Sequence, residues 1–202
     1  MSLLSYFHPD FIEAGCDEAG RGCLAGPVVA AAVIFSKDYT HCELNDSKQL
    51  SAKNRQRLRS EIEHDALAYA VAFVNNEEID RINIVKASVK AMHIALDKLT
   101  IRPQFIIIDG NYFIPYKKVP HKCHVKGDGK FLSIAAASIL AKTYRDEYMQ
   151  NIHKEHPNYL WCENKGYATA DHRQAVQLYG LTGYHRKSFC SSFEQLSLDF
   201  GL

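Results

Sequence analysis

Four carboxylates from separate parts of the sequence could meet at one site. Asp17 and Glu18 close the first predicted strand, Asp109 closes another, and Asp128 lies in a loop rich in Lys and Gly. Sites in open α/β sheets form at strand ends. Clusters of carboxylate oxygens suit hard cations such as Mg²⁺ or Mn²⁺. The pattern therefore allows a divalent-metal site, although each acid taken alone is as typical of a solvated turn.

The adjacent pair Asp17 and Glu18 carries a geometric condition. Neighbouring residues of a strand point to opposite faces of a sheet. Both acids can therefore serve one site only if the chain bends there or if one of them contributes its backbone carbonyl. The glycines that follow, Gly20 and Gly22, favour such a bend.

Several residues have the chemistry to contact phosphates or sugars. Ser138, Lys142 and Arg145 are spaced by four and three residues along a predicted helix and form a polar stripe. Asp146, next to Arg145, is expected to pair with a neighbouring cation. The exposed-loop residue Tyr167 could stack on a sugar or a base. A basic stretch adds Lys117, Lys118, Lys122, Lys126 and Lys130. Solvated loops and ordinary packing explain the same patterns.

The elements that must position these residues follow from hydrophobic periodicity. Strands are predicted at 11–16, 27–35, 66–74, 105–108 and 119–125, and helices begin after Ser51, span 82–99 and 133–155, and lie near 170–179. This order predicts an α/β fold with a five-stranded mixed sheet flanked by helices. We expect a catalytic domain at 1–155 and a C-terminal helical extension at 156–202, which carries a substrate-contacting loop and the tail.

Composition limits the class of protein. The 202 residues carry 24 Lys and Arg against 23 Asp and Glu, a net charge of +1, so any binding of nucleic acid must use local patches. The six cysteines are widely spaced, which favours reduced, mostly buried thiols. No cationic leader precedes an apolar core, and no apolar run approaches the roughly 20 residues of a membrane span. We expect a cytoplasmic monomer.

Six segments in order give the sequence a family resemblance. They are GCDEAGRGCLAGPVVAAAVI, LNDSKQLS, FIIIDGN, VKGDGKFLSIAAASILAKTYRD, GYATADH and YHRKSF. Together they resemble ribonuclease HII, the type 2 ribonuclease H family, over nearly the whole chain. One departure is Ala168 after Tyr167, where the family often has Gly or Pro, and it bears on the shape of that loop.

The resemblance implies a ribonuclease H fold and an endonuclease that hydrolyses the RNA strand of RNA/DNA hybrids. It also implies nicking of DNA duplexes 5′ of single embedded ribonucleotides, with 3′-hydroxyl and 5′-phosphate ends, by two Mn²⁺ or Mg²⁺ ions. The metal-binding, catalytic acids would be Asp17, Glu18, Asp109 and Asp128. The 2′-hydroxyl would be contacted by Gly20, Arg21 and Gly22, the next sugar by Tyr167, and phosphates by Lys48, Ser138 and Lys142.

The tail suggests a partner. Gln195, Leu196, Leu198 and Phe200 look like the peptide by which bacterial repair proteins dock on the sliding clamp, although a tail packed on the body explains them equally. Two alternatives to the main interpretation stay open at this stage. One is another two-metal nuclease or strand-transfer enzyme of the same fold, and the other is a clamp-associated binding module without catalysis.

Overall fold

The computed structural model describes residues 3–44 and 50–190. A five-stranded sheet has the order β3-β2-β1-β4-β5. Its strands are β1 (Glu13–Ala19), β2 (Val28–Ile34), β3 (Ala68–Val74), β4 (Phe105–Asp109) and β5 (His121–His124). The first three strands pair antiparallel, whereas β4 runs parallel to β1 and β5 parallel to β4. The predicted mixed sheet of five strands is confirmed.

Six α-helices accompany the sheet within the described ranges. They are α1 (Ala52–Asp65), α2 (Asn76–Ile82), α3 (Ile84–Lys98), α4 (Leu132–His153), α5 (Trp161–Asn164) and α6 (Ala170–Tyr179). Ser51 caps α1, because its side chain accepts the N–H of Asn54 at 3.2 Å. The predictions of α6 and of the long helix α4 are confirmed to within two residues.

The apolar stripe predicted as one helix over 82–99 belongs to two helices. Asn83 breaks the stripe with a φ of 69°, and its side chain caps α3 by accepting the N–H of Lys86 at 3.1 Å. Ile82 therefore ends α2, which the sequence analysis missed, and α3 starts at Ile84. Asparagine tolerates this backbone and supplies the cap, so the stripe continues through a turn.

The two faces of the sheet have separate cores. Ala14, Cys16, Ile106 and Ile108 pack with α3 on one face, and Ala31 and Val33 pack with α1 and α4 on the other. Helix α4 lies very close to β1, because a Cβ atom at Gly15 would stand 2.4 Å from the Ser133 backbone. A glycine is required there for the helix to approach the strand.

The C-terminal segment has its own small core. Trp161 and Tyr159 pack with Ala175 and Val176 of α6 and with Met149 of α4. The division at 155/156 stays a prediction. All six cysteines are free, and Cys16, Cys23 and Cys190 are buried. Among the described residues, no helix has the length and apolar character to cross a membrane.

Candidate active site

Two of the predicted acids lie side by side where parallel strands end. The register pairs Cys16 with Ile108, so the next residues along the two strands are Asp17 and Asp109. Asp17 is 6% exposed, and its carboxylate is hydrogen-bonded by Ser138 of α4. Asp109 is two residues after Ile107, which packs with Ile134 of α4, so the alternation of side chains along a strand places both carboxylates on the α4 face.

Glu18 lies on the opposite face of β1. It is two residues after Cys16, which belongs to the α3 core, so the alternation of side chains along β1 places Glu18 on that side. There it lines a cavity of about 40 Å³ with Asp109 and with Ser88 of α3. The predicted strand end at residue 16 was wrong, because β1 continues to Ala19 through both acids. The acids therefore meet around the end of the sheet, with Asp109 next to both.

Burial and mutual repulsion make these carboxylates harder to ionise. Burial is the largest cause that raises the pKa of Asp17 well above its ordinary value, followed by the charges of Glu18 and Asp109. Burial also raises the pKa of Glu18, but Arg21, whose guanidinium lies 3.1 Å from Glu18 Oε1, partly opposes it. Three acids therefore share one electrostatic site in which negative charge is under-compensated.

Asp128 is buried close to the same strand end. It lies in a 3₁₀ turn, Gly127–Gly129, and is 4% exposed. The N–H of Gly127 donates to Asp109 Oδ1 at 2.7 Å, which ties this turn to β4. A Cβ atom at Gly127 would lie 2.7 Å from Ile134 Cδ1, so the turn also packs tightly on α4.

The chemistry of this donor set fits divalent cations. Its oxygens are carboxylates that repel one another, and hard cations such as Mg²⁺ and Mn²⁺ prefer such ligands. Over residues 3–44 and 50–190, however, no three acidic, His or Cys side chains are already grouped as a metal cage. In three of the acids one carboxylate oxygen accepts a hydrogen bond from the protein instead. Asp17 accepts from Glu18 N–H, Glu18 accepts from the Arg21 guanidinium, and Asp109 accepts from Gly127 N–H.

The loop after β1 presents an exposed backbone. Gly20 has a φ of +95°, and a Cβ atom there would lie 2.1 Å from Nε of Arg145, so glycine is required. Arg21 and Gly22 are exposed, and a Cβ atom at Gly22 would meet nothing within 4 Å. The loop is therefore fixed at its first glycine and open at its second.

Two buried arginines hold this loop by its carbonyl oxygens. Arg186 donates to Gly20 O at 2.8 Å, Arg21 O at 2.9 Å and Gly26 O at 3.0 Å. Arg145 donates to the carbonyls of Ala25, Pro27 and Lys165 at 3.0, 3.0 and 2.8 Å. The predicted phosphate-facing role of Arg145 is wrong, since the side chain is fully buried.

Tyr167 lies beside the loop. Cys23 forms an antiparallel bridge with Tyr167, and Leu24 N–H donates to Gly166 O at 2.8 Å. The tyrosine is 42% exposed and borders a cleft of about 830 Å³ between α1 and α4. Lys142 lines the same cleft, with Nζ 5.7 Å from the tyrosine ring and 2.6 Å from Asp146. The expected pairing of Asp146 is confirmed.

Some predicted residues fall elsewhere. Lys48 and the tail residues Gln195, Leu196, Leu198 and Phe200 lie outside the described residues. In the basic stretch, Lys117 pairs with Asp97, and Lys130 donates to Val125 O at 2.8 Å.

Several residues that shape the site could not be assigned a role from the sequence. These are Ser88, His172, His185 and Arg186. A signal was present for three of them, because His172 belongs to the segment GYATADH, and His185 and Arg186 belong to the segment YHRKSF.

Comparison with known proteins identifies the family and the fold. The family model described as Ribonuclease HII matches residues 14–192. A ribonuclease HII of Parabacteroides distasonis is 59% identical over 198 residues, covering 98% of this chain and all of its relative. The ribonuclease H2 structure from Pyrococcus horikoshii OT3 matches with a TM-score of 0.77 at 25% identity, covering 91% of this chain and 97% of the other.

A second solved structure is the PCNA:RNase HII complex from Archaeoglobus fulgidus. It matches with a TM-score of 0.70 at 25% identity and covers 87% of this chain and 93% of the other. These matches confirm the ribonuclease H-like fold and favour the ribonuclease HII interpretation over the two alternatives. The chain therefore belongs to the ribonuclease HII family and is an endoribonuclease that hydrolyses the RNA strand of RNA/DNA hybrids.

Proposed function

We propose that the chain also nicks duplex DNA at single embedded ribonucleotides, on the 5′ side of the ribonucleotide, and leaves 3′-hydroxyl and 5′-phosphate ends. The observation that carries the proposal is the juxtaposition of two features. One is the under-compensated acid site of Asp17, Glu18 and Asp109, and the other is the loop that begins only two residues later with Gly20. Hydrolysis and recognition of the sugar would then take place within one short stretch of chain.

The residues that would hold two divalent ions are Asp17, Glu18, Asp109 and Asp128. When bound, Mg²⁺ or Mn²⁺ ions make the attacking water more acidic and neutralise the charge that develops on the leaving 3′-oxygen. The backbone carbonyl of Glu18 is a further candidate ligand, because it adjoins Asp17 in the strand whichever face the Glu18 side chain takes. The raised pKa of Asp17 supports this assignment, because an adjacent cation would stabilise its ionised form.

The loop Gly20, Arg21 and Gly22 would recognise the 2′-hydroxyl. That hydroxyl is the group that distinguishes a ribonucleotide from a deoxyribonucleotide in a duplex. The buried guanidinium of Arg186 donates hydrogen bonds to the carbonyls of Gly20 and Arg21, which fixes the backbone of the loop. The open space around Gly22 allows a sugar to approach this backbone closely. Tyr167, held beside Cys23, would pack on the sugar of the next deoxynucleotide and sense the RNA-to-DNA junction.

Phosphates would be bound by Lys48, Ser138 and Lys142. Ser138 also hydrogen-bonds Asp17, which would link phosphate binding to the acid site. Lys142 is paired with Asp146 and lines the cleft bordered by Tyr167. Because Lys142 lies next to Tyr167, a phosphate bound there would adjoin the sugar that stacks on the tyrosine.

Cleavage mapping tests the proposal. A duplex with one ribonucleotide, a matched all-DNA duplex and a long RNA/DNA hybrid are incubated with Mg²⁺ or Mn²⁺, and the product ends are identified. We expect one nick 5′ of the ribonucleotide with a 3′-hydroxyl, and no cleavage of all-DNA. Cleavage of the hybrid alone would contradict junction recognition, and cleavage of all-DNA would contradict recognition of the hydroxyl.

A role in ribonucleotide excision repair would bring the chain to the sliding clamp. The tail residues Gln195, Leu196, Leu198 and Phe200 support this, as does the solved PCNA:RNase HII complex from Archaeoglobus fulgidus. We also expect the chain to act as a monomer in the cytoplasm, and its six free cysteines are consistent with a reducing compartment.

The clamp proposal is tested by removing the tail. Truncation after Glu194 should abolish clamp binding in a pull-down and leave hybrid cleavage intact. Unchanged binding would overturn the docking proposal.

A further inference from the structure

A chain of hydrogen bonds leads from the C-terminal segment to the backbone of Tyr167. Thr182 N–H donates to His185 Nδ1 at 2.9 Å. The Nε2 atoms of His185 and His172 are 3.2 Å apart, and His172 Nδ1 lies 2.9 Å from Tyr167 O. The two histidines are 1% and 0% exposed, so water does not replace these contacts.

The partners at the two ends of this chain fix where the ring protons lie. A backbone N–H only donates, so His185 Nδ1 accepts and the His185 proton is on Nε2. A backbone carbonyl only accepts, so His172 Nδ1 carries the proton and its Nε2 is an acceptor. Trp161 Nε1–H, 3.0 Å from the same His172 Nε2, requires the same tautomer. These contacts are consistent with two neutral imidazoles that donate in one direction, toward Tyr167, while Trp161 and His185 share the single lone pair of His172 Nε2.

We propose that His172 and His185 are positioning residues that fix the Tyr167 backbone through this directed pair of hydrogen bonds. The inference rests on the proposed role of Tyr167 at the RNA-to-DNA junction. Tyr167 N–H donates to Asn164 O at 2.9 Å, and Tyr167 O also accepts Thr169 N–H at 2.8 Å. The contact from His172 ties the Tyr167 carbonyl itself to the buried core of the C-terminal segment, and Asn164 Nδ2, which donates to Tyr159 O at 2.7 Å, ties the start of the same turn to that core.

The surroundings keep both rings neutral. Burial is the main cause that lowers the pKa of His172, and burial together with His172 and His156 lowers the pKa of His185 to about 4. Tyr159 and Trp161 pack against both imidazole rings. His156 and Tyr184 pack in turn against Trp161, and the Thr182 hydroxyl lies 3.0 Å from His185 Nδ1.

Nitrogen-15 NMR of the full chain labelled at histidine tests the tautomers directly, without substrate or metal. At pH 7 we expect His172 as the Nδ1–H tautomer and His185 as the Nε2–H tautomer. A protonated ring, or the opposite tautomer at either residue, would overturn the proposal whatever the enzyme cleaves.

Two substitutions at one position separate positioning from packing. In His172→Asn the amide nitrogen is attached at the position of Nδ1 and can still donate to Tyr167 O, whereas the longer His172→Gln amide corresponds to Nε2. Both lose the ring, so both should lower the melting temperature similarly. We expect the Tyr167 carbonyl carbon shift to stay near the wild-type value in His172→Asn and to move in His172→Gln.

The same variants test function. The readout is the ratio of kcat/KM on the single-ribonucleotide duplex to kcat/KM on a long hybrid, and we expect it to fall about fivefold in His172→Gln and less than twofold in His172→Asn, as for one lost hydrogen bond. His156→Gln is the matched control, because its ring packs beside Trp161 outside the chain of hydrogen bonds. Equal carbonyl shifts in the two His172 variants would contradict the inference. A wild type without junction preference would contradict the proposed function instead.

Discussion

The acid site and the arginine-held loop, two regions only a few residues apart, bury charge in opposite ways. Asp17 and Glu18 are buried near a third carboxylate, and the pKa of each is raised. Arg145 and Arg186 are also fully buried, but each donates to three backbone carbonyls. The difference indicates that the protein's own carbonyl groups compensate the buried charges of the arginines. The buried acids, in contrast, need a cation to reach their most stable ionised state.

The largest expected effect is in the acid region, on activity. Asp109→Asn removes a proposed metal ligand and one of the charges that raise the pKa of Asp17. Hybrid cleavage should fall by at least about 10²–10³-fold, the usual cost of removing one electrostatic contact to a transition state. The metal-free melting temperature should stay the same or rise, because repulsion is relieved. Near wild-type cleavage in single-turnover assays would remove Asp109 from the mechanism.

In the loop region the largest effect should be on stability. Arg145→Met leaves the buried carbonyls of Ala25, Pro27 and Lys165 without their donor. Chemical denaturation should show a loss of about 3 kcal/mol in the free energy of unfolding. Arg57→Met is a matched control, because Arg57 contacts Glu43 and Glu61 on the exposed face of α1 and should change little. Equal losses in both variants would contradict the role of the buried arginine.

The free energy of unfolding should depend on pH in opposite ways through the acids and through the histidine pair behind Tyr167. The folded-state pKa values of Asp17 and Glu18 are raised, so the folded protein binds more protons above about pH 4 and the metal-free protein loses stability as pH rises through those values. The folded-state pKa of His185 is lowered to about 4, so stability is lost as pH falls from 6.5 toward 4.

Melting curves from pH 4 to 8 with EDTA, and again with Mg²⁺, separate the two contributions. Mg²⁺ should stabilise the folded protein progressively more as pH rises, on the order of 1–2 kcal/mol overall. It should not change the loss of stability at low pH, which comes from His185. A Mg²⁺ effect that does not depend on pH would show that the acids are not the groups that respond to the cation.

The smallest expected effect compares the two glycines of the loop. Gly22→Ala adds a methyl group where nothing lies within 4 Å, so the protein should keep its melting temperature. Its cleavage of the single-ribonucleotide duplex should fall about fivefold, by the loss of one sugar contact. Gly20→Ala should instead destabilise the fold, because φ is +95° and Arg145 occupies the space. Unaltered cleavage by Gly22→Ala would argue against contact of the sugar at this residue.

Much of the fold could be predicted because its elements are strongly periodic. The apolar strands β2 and β4 and the helices α4 and α6 are within two residues of the predicted bounds. The break at Asn83 could not be predicted from the stripe, because apolar spacing alone does not distinguish one helix from two that share a face.

The site was predictable in part. The acids stand out in the sequence, but their distribution over two faces depends on β1 continuing to Ala19, which hydrophobicity alone does not indicate. Arg145 was misassigned for a related reason. An arginine that follows an apolar helical segment resembles a surface residue in the sequence. Its burial becomes evident only when the carbonyls that accept its hydrogen bonds are known, and those of Ala25 and Pro27 lie far from Arg145 in the sequence.

We propose that Asp17, Glu18 and Asp109 form one electrostatic site that a divalent cation neutralises. Carbon-13 NMR titration of the Asp17 carboxyl, with and without Mg²⁺, tests it most directly. We expect a pKa well above the ordinary aspartate value in the metal-free protein and a marked decrease when Mg²⁺ is added. An Asp17 that titrates like an exposed aspartate, with no response to Mg²⁺, would contradict the account.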